Sequence, residues 1–112
     1  MLKRANRVRA AGDFRAAVRK GRRVGTPHAL LYLASTPASD PTRIGFIVAK
    51  TVGNSVKRNL VTRRLRSIGR EIVQARPTGT DLVIRALPGS TGVSWTTLRS
   101  EILDVLERSA YQ

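Results

Sequence analysis

One segment of the sequence concentrates side chains that bind phosphate. Between Val52 and Arg66, in VGNSVKRNLVTRRLR, five residues are cationic and none is acidic. Helices usually offset such charge with carboxylates one turn away, because like charges at i and i+4 destabilise a helix. The chain holds 17 Arg and four Lys, and the planar guanidinium of arginine matches the oxygens of a phosphate group. The segment therefore predicts a surface that binds a polyanion.

The spacing of this segment predicts a helix with a buried side and a basic side. At about 100° per residue, four apolar residues fall on one side and four polar residues fall opposite them. The apolar residues are Val61, Leu65, Ile68 and Ile72, and the opposite residues, which we call the basic face, are Asn59, Arg63, Arg66 and Arg70. Lys57 and Arg64 flank the apolar side, and Gly53 with the helix N-terminus offers a second anion site. The alternative, a solvated surface without a ligand, would normally mix charges of both signs.

The positive charge is confined to part of the chain. Residues 1–70 hold 17 of the 21 basic residues and only two acidic ones, Asp13 and Asp40, whereas residues 71–112 hold four basic and five acidic residues. The formal net charge is +14. A high charge that served only solubility would not need this segregation. The pattern favours a polyanionic partner such as RNA.

The sequence offers few groups for catalysis by the protein itself. His28 is the only histidine, so a mechanism with two histidines of one chain is excluded, and we interpret His28 as a structural or RNA-contacting residue. Asp13 and Asp40 are interpreted as a helix cap and a loop residue. The acidic residues near the C-terminus are spaced as on a solvent-facing side of a helix rather than as a metal site. We therefore predict no catalytic and no metal-binding residue.

Composition predicts one small domain, residues 1–112, in the cytoplasm. With 4% aromatic residues, its core must consist mainly of Val, Leu, Ile and Ala. Cysteine is absent, and no apolar stretch approaches the roughly 20 residues that cross a bilayer. A protein that binds anionic membranes would need bulky aromatic residues beside the basic ones, and these are missing.

Apolar periods and turn residues predict an α+β fold with the order α-β-β-β-α-β-α, in which a small, mainly antiparallel four-stranded sheet packs with three helices. Asp13, Ser55 and Ser94 are the predicted helix caps. The predicted elements are a basic, partly extended arm at 1–12, a short helix ending near Gly21, strands at 22–25, 28–34 and 43–49, a helix from Ser55 to about Gln74, a strand at 81–87 and a helix at 95–109.

Aromatic residues are scarce, so their positions matter. Phe14, Tyr32 and Phe46 could stack on unpaired bases if they line an open face of the sheet. Core packing is the expected role of Phe46, whereas both roles stay open for Phe14 and Tyr32. Trp95, at the start of the last helix, is expected to make a core or capping contact.

The stretch KTVGNSVKRNLVTRRLRSIGRE, residues 50–71, resembles the protein subunit of bacterial ribonuclease P. That family has a Lys-x-Val-Gly loop followed by a helix with an Arg-Asn-Arg signature. The matching residues are Lys50, Val52, Gly53, Asn54, Val56, Arg58, Asn59, Arg63 and Arg66, and the similarity extends to Asp13, Phe14, Gly21, Tyr32, Arg43 and residues 86–89. Three positions depart from the pattern: Leu60 replaces the last Arg of the signature, Thr62 a usual Lys, and Val18 a frequent aromatic residue.

The resemblance implies a non-catalytic subunit of a catalytic RNA. That RNA, with its own Mg2+ ions, removes the 5′ leader from precursor tRNA, while the protein binds no cofactor alone and needs no other protein. The implied contacts to the catalytic RNA are Lys50, Lys57, Arg58, Asn59, Arg63, Arg66 and Arg70, and those to the leader are Phe14, Tyr32, Arg15 and Arg19. The family also implies a left-handed crossover between the parallel strands. A ribosomal or nucleoid protein without a role in turnover is the alternative.

Overall fold

The predicted pattern of elements folds into a four-stranded sheet with helices on both faces. A computed structural model describes residues 3–8 and 11–109. The main elements are α1 (Ala11–Lys20), β1 (Arg22–Gly25), β2 (Ala29–Ser35), β3 (Arg43–Ile47), α2 (Ser55–Ala75), β4 (Thr80–Ala86) and α3 (Trp95–Ser109), with short 3-10 turns at Arg4–Asn6, Lys50–Val52 and Ser90–Gly92. The α+β class and the order α-β-β-β-α-β-α are confirmed.

The strands lie in the order β1-β2-β4-β3. β1 and β2 are antiparallel, as are β2 and β4, whereas β3 and β4 are parallel and are connected through α2. The sheet is therefore mainly antiparallel, as predicted. The left-handed course of the connection through α2 stays a prediction.

The core consists of two layers, because side chains along each strand point alternately to the two faces of the sheet. On β2, Ala29 and Leu31 belong to the layer covered by α2 and α3, whereas Leu30 and Tyr32 face the layer covered by α1. Because successive side chains of a strand point to opposite faces, strands that are apolar on both sides must be covered on both sides. The sheet is therefore buried between α1 on one face and α2 with α3 on the other.

The long helix α2 has the predicted buried side. Val61, Leu65 and Ile68 are fully buried and Ile72 is 2% exposed. The predicted cap is wrong by one residue: Asn54, not Ser55, precedes the helix, and its Oδ1 accepts a hydrogen bond from the Lys57 N–H at 3.0 Å. Asn54 has the extended backbone of a capping residue, whereas Ser55 is already helical.

The N-terminal arm is packed against the sheet more closely than predicted. Asn6 is buried and its Nδ2 donates to the Thr42 carbonyl oxygen at 2.7 Å, while the Val8 N–H donates to the Ile44 carbonyl oxygen at 3.1 Å. These bonds cover the outer edge of β3, which would otherwise present unpaired backbone groups. Within the predicted arm 1–12, residues 1, 2, 9 and 10 lie outside the described residues.

The first helix begins at Ala11, three residues before the start predicted from Asp13 as the cap. Asp13 therefore lies inside the first turn and is not the predicted cap. Its carboxylate instead accepts a hydrogen bond from Arg43 Nη1 at 3.3 Å. Ser94 is confirmed as the cap of α3, since its Oγ accepts from the Thr97 N–H at 3.1 Å.

The structure also tests the interpretations of His28 and Trp95. His28 has a structural contact, because its Nδ1 lies 2.8 Å from Glu101 Oε1 and thereby joins the start of β2 to α3. Trp95 is 37% exposed and does not belong to the core, so the expected core contact is wrong, whereas the alternative of a capping contact stays a prediction. Among the described residues, no helix is both long and apolar enough to cross a membrane.

The buried side of α2 gives a direct test of the fold. Replacing Leu65 with Ala should lower the free energy of unfolding by about 2–5 kcal/mol, because it removes a fully buried side chain and leaves a cavity. Urea unfolding followed by circular dichroism measures the change. Arg63→Ala, on the exposed side of the same helix, is the control and should shift it by no more than about 0.5 kcal/mol. The reverse ranking would mean that the helix packs on its other side.

Candidate RNA-binding surface

The basic face of α2 lies in solvent. Asn59, Arg63, Arg66 and Arg70 are all exposed. Within residues 3–8 and 11–109, none of the three arginines has a carboxylate within 4 Å. Two shallow grooves run along this face, one lined by Arg63, Arg66, Ser67 and Arg70 and the other by Val56, Asn59, Thr62, Arg63 and Arg66. The face is thus both accessible and without an observed counter-charge.

The nearest carboxylate along α2 pairs with another helix rather than with the basic face. Glu71, the first acidic residue of α2, accepts two hydrogen bonds from Arg99 of α3, from Nε at 2.8 Å and from Nη2 at 2.9 Å. This pair lowers the pKa of Glu71, first through the hydrogen bond from Arg99, and Arg70 adds only a weaker coulombic contribution. In the part of the chain that the structure describes, no three His, Asp or Glu residues form a group that could hold a metal ion. Among the described residues, the basic face therefore has no carboxylate counter-charge.

The predicted contacts at the start of α2 differ in availability. Lys50, in the preceding turn, and Lys57 are exposed, whereas Arg58 is half-buried and its Nε has no hydrogen-bond partner within residues 3–8 and 11–109. Gly53 allows the loop to approach the helix closely, because a Cβ at this position would lie 2.9 Å from Lys57 Cδ. Arg64, on the flank of α2, donates from Nη1 to the Val93 carbonyl oxygen at 2.8 Å. Arg64 therefore has a structural contact as well as a charge.

A cleft of about 330 Å³ lies at the outer edge of β3, and we call it the edge cleft. Its lining residues are Arg7, Val8, Phe14, Ile44, Gly45, Phe46, Val48, Thr62 and Arg66. Phe14 lies directly over Gly45, since a Cβ on Gly45 would come within 2.6 Å of Phe14 Cε1. Glycine on this strand therefore leaves room for the aromatic ring. Arg66 lines both the edge cleft and the two grooves, so the cleft and the basic face are adjacent.

The predicted leader contacts are only partly brought together. Phe14 lines the edge cleft, and Arg15 and Arg19 are exposed on α1. Tyr32 is 9% exposed and packs with Ala17 and Val83 beneath α1, outside the lining of the cleft.

The second aromatic residue of the edge cleft is one that sequence reasoning assigned to the core and left out of the leader contacts. Phe46 packs against the core, as expected, but it also lines the cleft. The alternating pattern of β3 places Phe46 on a strand face. It does not show that β3 is an outer strand, where a side chain can border both core and solvent.

Arg43 fixes the position of α1 relative to the sheet. Its Nε and Nη2 donate to the two carboxylate oxygens of Asp81 on β4, at 3.1 and 2.7 Å, and its Nη1 donates to Asp13 on α1. The hydrogen bond to Asp81 is the main reason that the pKa of Arg43 is raised. Because Phe14 follows Asp13, this contact holds the ring at the edge cleft.

The fold and the exposed basic helix define a class of protein: a small α+β domain with a surface for nucleic acid. A family model described as Ribonuclease P matches residues 2–110. The Ribonuclease P protein component of Clavibacter michiganensis subsp. michiganensis is 44% identical over 109 residues, covering 97% of this chain and 96% of its own. The Ribonuclease P protein component of Pseudarthrobacter chlorophenolicus is 48% identical over 107 residues, which cover 96% of this chain and 79% of the relative.

Solved structures show the same fold. The RNase P protein of Staphylococcus aureus superimposes with a TM-score of 0.82 at 23% identity, covering 95% of this chain and 96% of that one. The RNase P protein from Thermotoga maritima gives a TM-score of 0.78 at 24% identity, covering 91% of this chain and 96% of that one. The chain therefore belongs to the ribonuclease P protein family, as the resemblance indicated. Its function is that of the protein component in tRNA 5′ processing with an RNA subunit, and the alternative of a ribosomal or nucleoid protein is set aside.

The pair between Glu71 and Arg99 predicts a pH dependence of stability. The pKa of Glu71 in the folded protein lies below its ordinary value of 4.5, so the carboxylate stabilises the fold above that pH, and the contribution is lost as the pH falls through the lowered pKa. Glu71→Gln should therefore be slightly less stable than the parent at pH 7, and this difference should be smaller at pH 3. Urea unfolding at both pH values measures this difference.

The control for this test is Asp104→Asn, which removes the same charge from an exposed position of α3. The change in its free energy of unfolding between pH 7 and pH 3 should be close to that of the parent. A destabilisation by Glu71→Gln that is larger at pH 3 than at pH 7 would contradict the role of the pair.

Proposed function

We propose that the basic face of α2 binds the RNA subunit of ribonuclease P and that the edge cleft binds the 5′ leader of precursor tRNA. The observation that carries the first part is the exposure of Arg63, Arg66 and Arg70 without a carboxylate partner among the described residues. From Asn59 to Arg70 the helix rises about 16 Å, at 1.5 Å per residue, a length over which an RNA strand presents several phosphates. Lys50, Lys57 and Arg58 extend this surface at the start of α2.

The edge cleft has the chemistry that an unpaired nucleotide requires. Phe14 and Phe46 supply aromatic surface for a base, and Arg66 supplies a cation for its phosphate. Since Arg66 also borders the grooves of the basic face, a leader in the cleft would lie beside the RNA subunit. Arg15 and Arg19 on α1 are proposed to contact phosphates of the same leader, and Tyr32 is proposed to support α1 from beneath.

The proposed contribution of the protein to the reaction is electrostatic. Cationic side chains beside the RNA reduce the repulsion between phosphates of the RNA subunit and of the precursor, a task that Mg2+ would otherwise perform alone. The Mg2+ ions of the reaction are assigned to the active site of the RNA. The proposed location is the cytoplasm, where bacterial tRNA precursors are made.

Reconstitution with the RNA subunit tests the proposal as a whole. Adding the protein should lower the Mg2+ concentration needed for cleavage and should tighten the binding of precursor tRNA but not of mature tRNA. Equal effects on precursor and mature tRNA would refute the leader-binding cleft.

Arg66→Ala should weaken binding of the RNA subunit by at least about 1 kcal/mol, or about fivefold, because a charge-assisted hydrogen bond to phosphate is lost. If six or more phosphates are contacted, affinity of the parent should fall about a thousandfold or more between 50 and 200 mM salt. The slope of log affinity against log salt concentration should be smaller in magnitude by about one unit in the variant. Binding titrations at several salt concentrations measure both quantities.

The matched control is Arg108→Ala, which removes the same charge from an exposed position at the end of α3. It should bind the RNA subunit within about twofold of the parent. If both variants lose affinity equally, the net charge of the chain, and not the basic face, determines binding.

Phe14→Leu and Phe46→Leu should each weaken binding of precursor tRNA by about 1–3 kcal/mol, because a stacking contact with a base is lost. Binding of mature tRNA, which has no leader, should not change. The comparison uses the reconstituted complex with both tRNA forms. Tyr32→Phe keeps the buried ring and should have little effect; a loss as large as that of Phe14→Leu would show that Tyr32 contacts the leader directly.

A further inference from the structure

The only tryptophan of the chain lies in an unusual position for its type. Trp95 is the first residue of α3, and 37% of it is exposed. Only one other large apolar residue in the described part of the chain, Val56, is exposed, and it lines a groove of the basic face. Accessible aromatic side chains are the platforms on which proteins stack unpaired nucleic-acid bases. The question is which partner covers it.

The surroundings of Trp95 hold it in a fixed position. The guanidinium carbon of Arg99 lies 5.7 Å from the centroid of the Trp95 ring, within the range of a cation–π contact. Arg99 is itself held by its two hydrogen bonds to Glu71 on α2. On the other side of the residue, Ser94 caps α3 and the Val93 carbonyl oxygen accepts a hydrogen bond from Arg64. The ring is therefore presented on a rigid support.

Three contacts show where Trp95 lies along α2. Arg64 bonds to Val93, Glu71 to Arg99 and Arg76 to Leu106, so α3 runs beside α2 in the same direction. Trp95 falls between the first two contacts, which places it at the level of the residues between Arg64 and Glu71.

At this level, one residue of α2 lies between the basic face and the flank that faces α3. Ser67 lies on the side of α2 between the basic face and the flank that carries Arg64 and Glu71, at about 100° per residue. It lines a groove together with Arg63, Arg66 and Arg70. A strand whose phosphates bind these arginines therefore has a base within reach of the flank on which Trp95 lies.

We propose that Trp95 is a stacking platform for an unpaired base of the RNA subunit, beside the phosphates that the basic face binds. The inference rests on the proposed function. The neighbouring side chains favour a nucleobase, because the carboxylate of Glu71 is already neutralised by Arg99 and the remaining nearby charges, on Arg64 and the basic face, are positive. Tryptophan next to cations stacks on bases of any sequence. Trp95 lies at the start of α3, beside one flank of α2, whereas the edge cleft lies at β3. The base on Trp95 is therefore distinct from the leader.

The fluorescence of the single tryptophan tests this directly. Titration of the parent protein with the RNA subunit should quench the emission of Trp95 in parallel with binding, whereas a short single-stranded leader oligonucleotide should not. Trp95→Ala should bind the RNA subunit about tenfold more weakly, equivalent to about 1.4 kcal/mol, and Trp95→Phe should keep most of the affinity. Circular dichroism verifies that both variants are folded.

The outcomes separate this inference from the proposed function. If the RNA subunit binds with an affinity that depends on Arg66, but Trp95 emission stays constant and Trp95→Ala and Trp95→Phe bind like the parent, the platform is refuted and the proposed function stands. Quenching by the leader oligonucleotide would also refute it, because the base would then belong to the leader. If Arg66→Ala binds the RNA subunit like the parent, the proposed function itself fails.

Discussion

The structure depends on the amphipathic division of α2. Its apolar side is fully buried at Val61, Leu65 and Ile68, and this burial fixes the rotation of the helix about its axis. The arginines on the opposite side must then point into solvent, although their mutual repulsion destabilises the isolated helix. Hydrophobic burial outweighs that repulsion, because each large apolar side chain contributes about 1.5–3 kcal/mol whereas each exposed like-charge pair costs a few tenths of a kcal/mol. The protein therefore maintains a concentrated positive surface.

Placement of the few acidic residues completes this division. Asp13 and Asp81 bind Arg43, Glu71 binds Arg99, and Glu101 contacts His28, so each of these carboxylates joins two elements of the fold. In the described part of the chain none of them pairs with the basic face. The same ion pairs that position α1 and α3 therefore leave the basic face without a counter-charge among the described residues.

The two candidate nucleotide sites lie on opposite flanks of α2. On the β3 side, Phe14 and Phe46 line the edge cleft, and Gly45 makes room for the ring of Phe14. On the α3 side, Trp95 lies against Arg99. Phosphate contacts position a nucleic acid whereas contacts to bases distinguish its parts, so this arrangement gives one charged surface two different aromatic borders. Under the proposed function, this arrangement allows a leader and an RNA subunit to be bound at the same time.

The sequence by itself determined the order of the elements, the buried and basic sides of α2, and the family. These depend on local periodicity and on residue types at fixed spacing. The tertiary structure decided that Phe46 rather than Tyr32 borders the edge cleft, that Trp95 is exposed, and that Asp13 binds Arg43 instead of capping α1. The physical reason is that a strand pattern shows which residues share a face, whereas exposure depends on strand order and helix placement, which are set by contacts between residues distant in the chain.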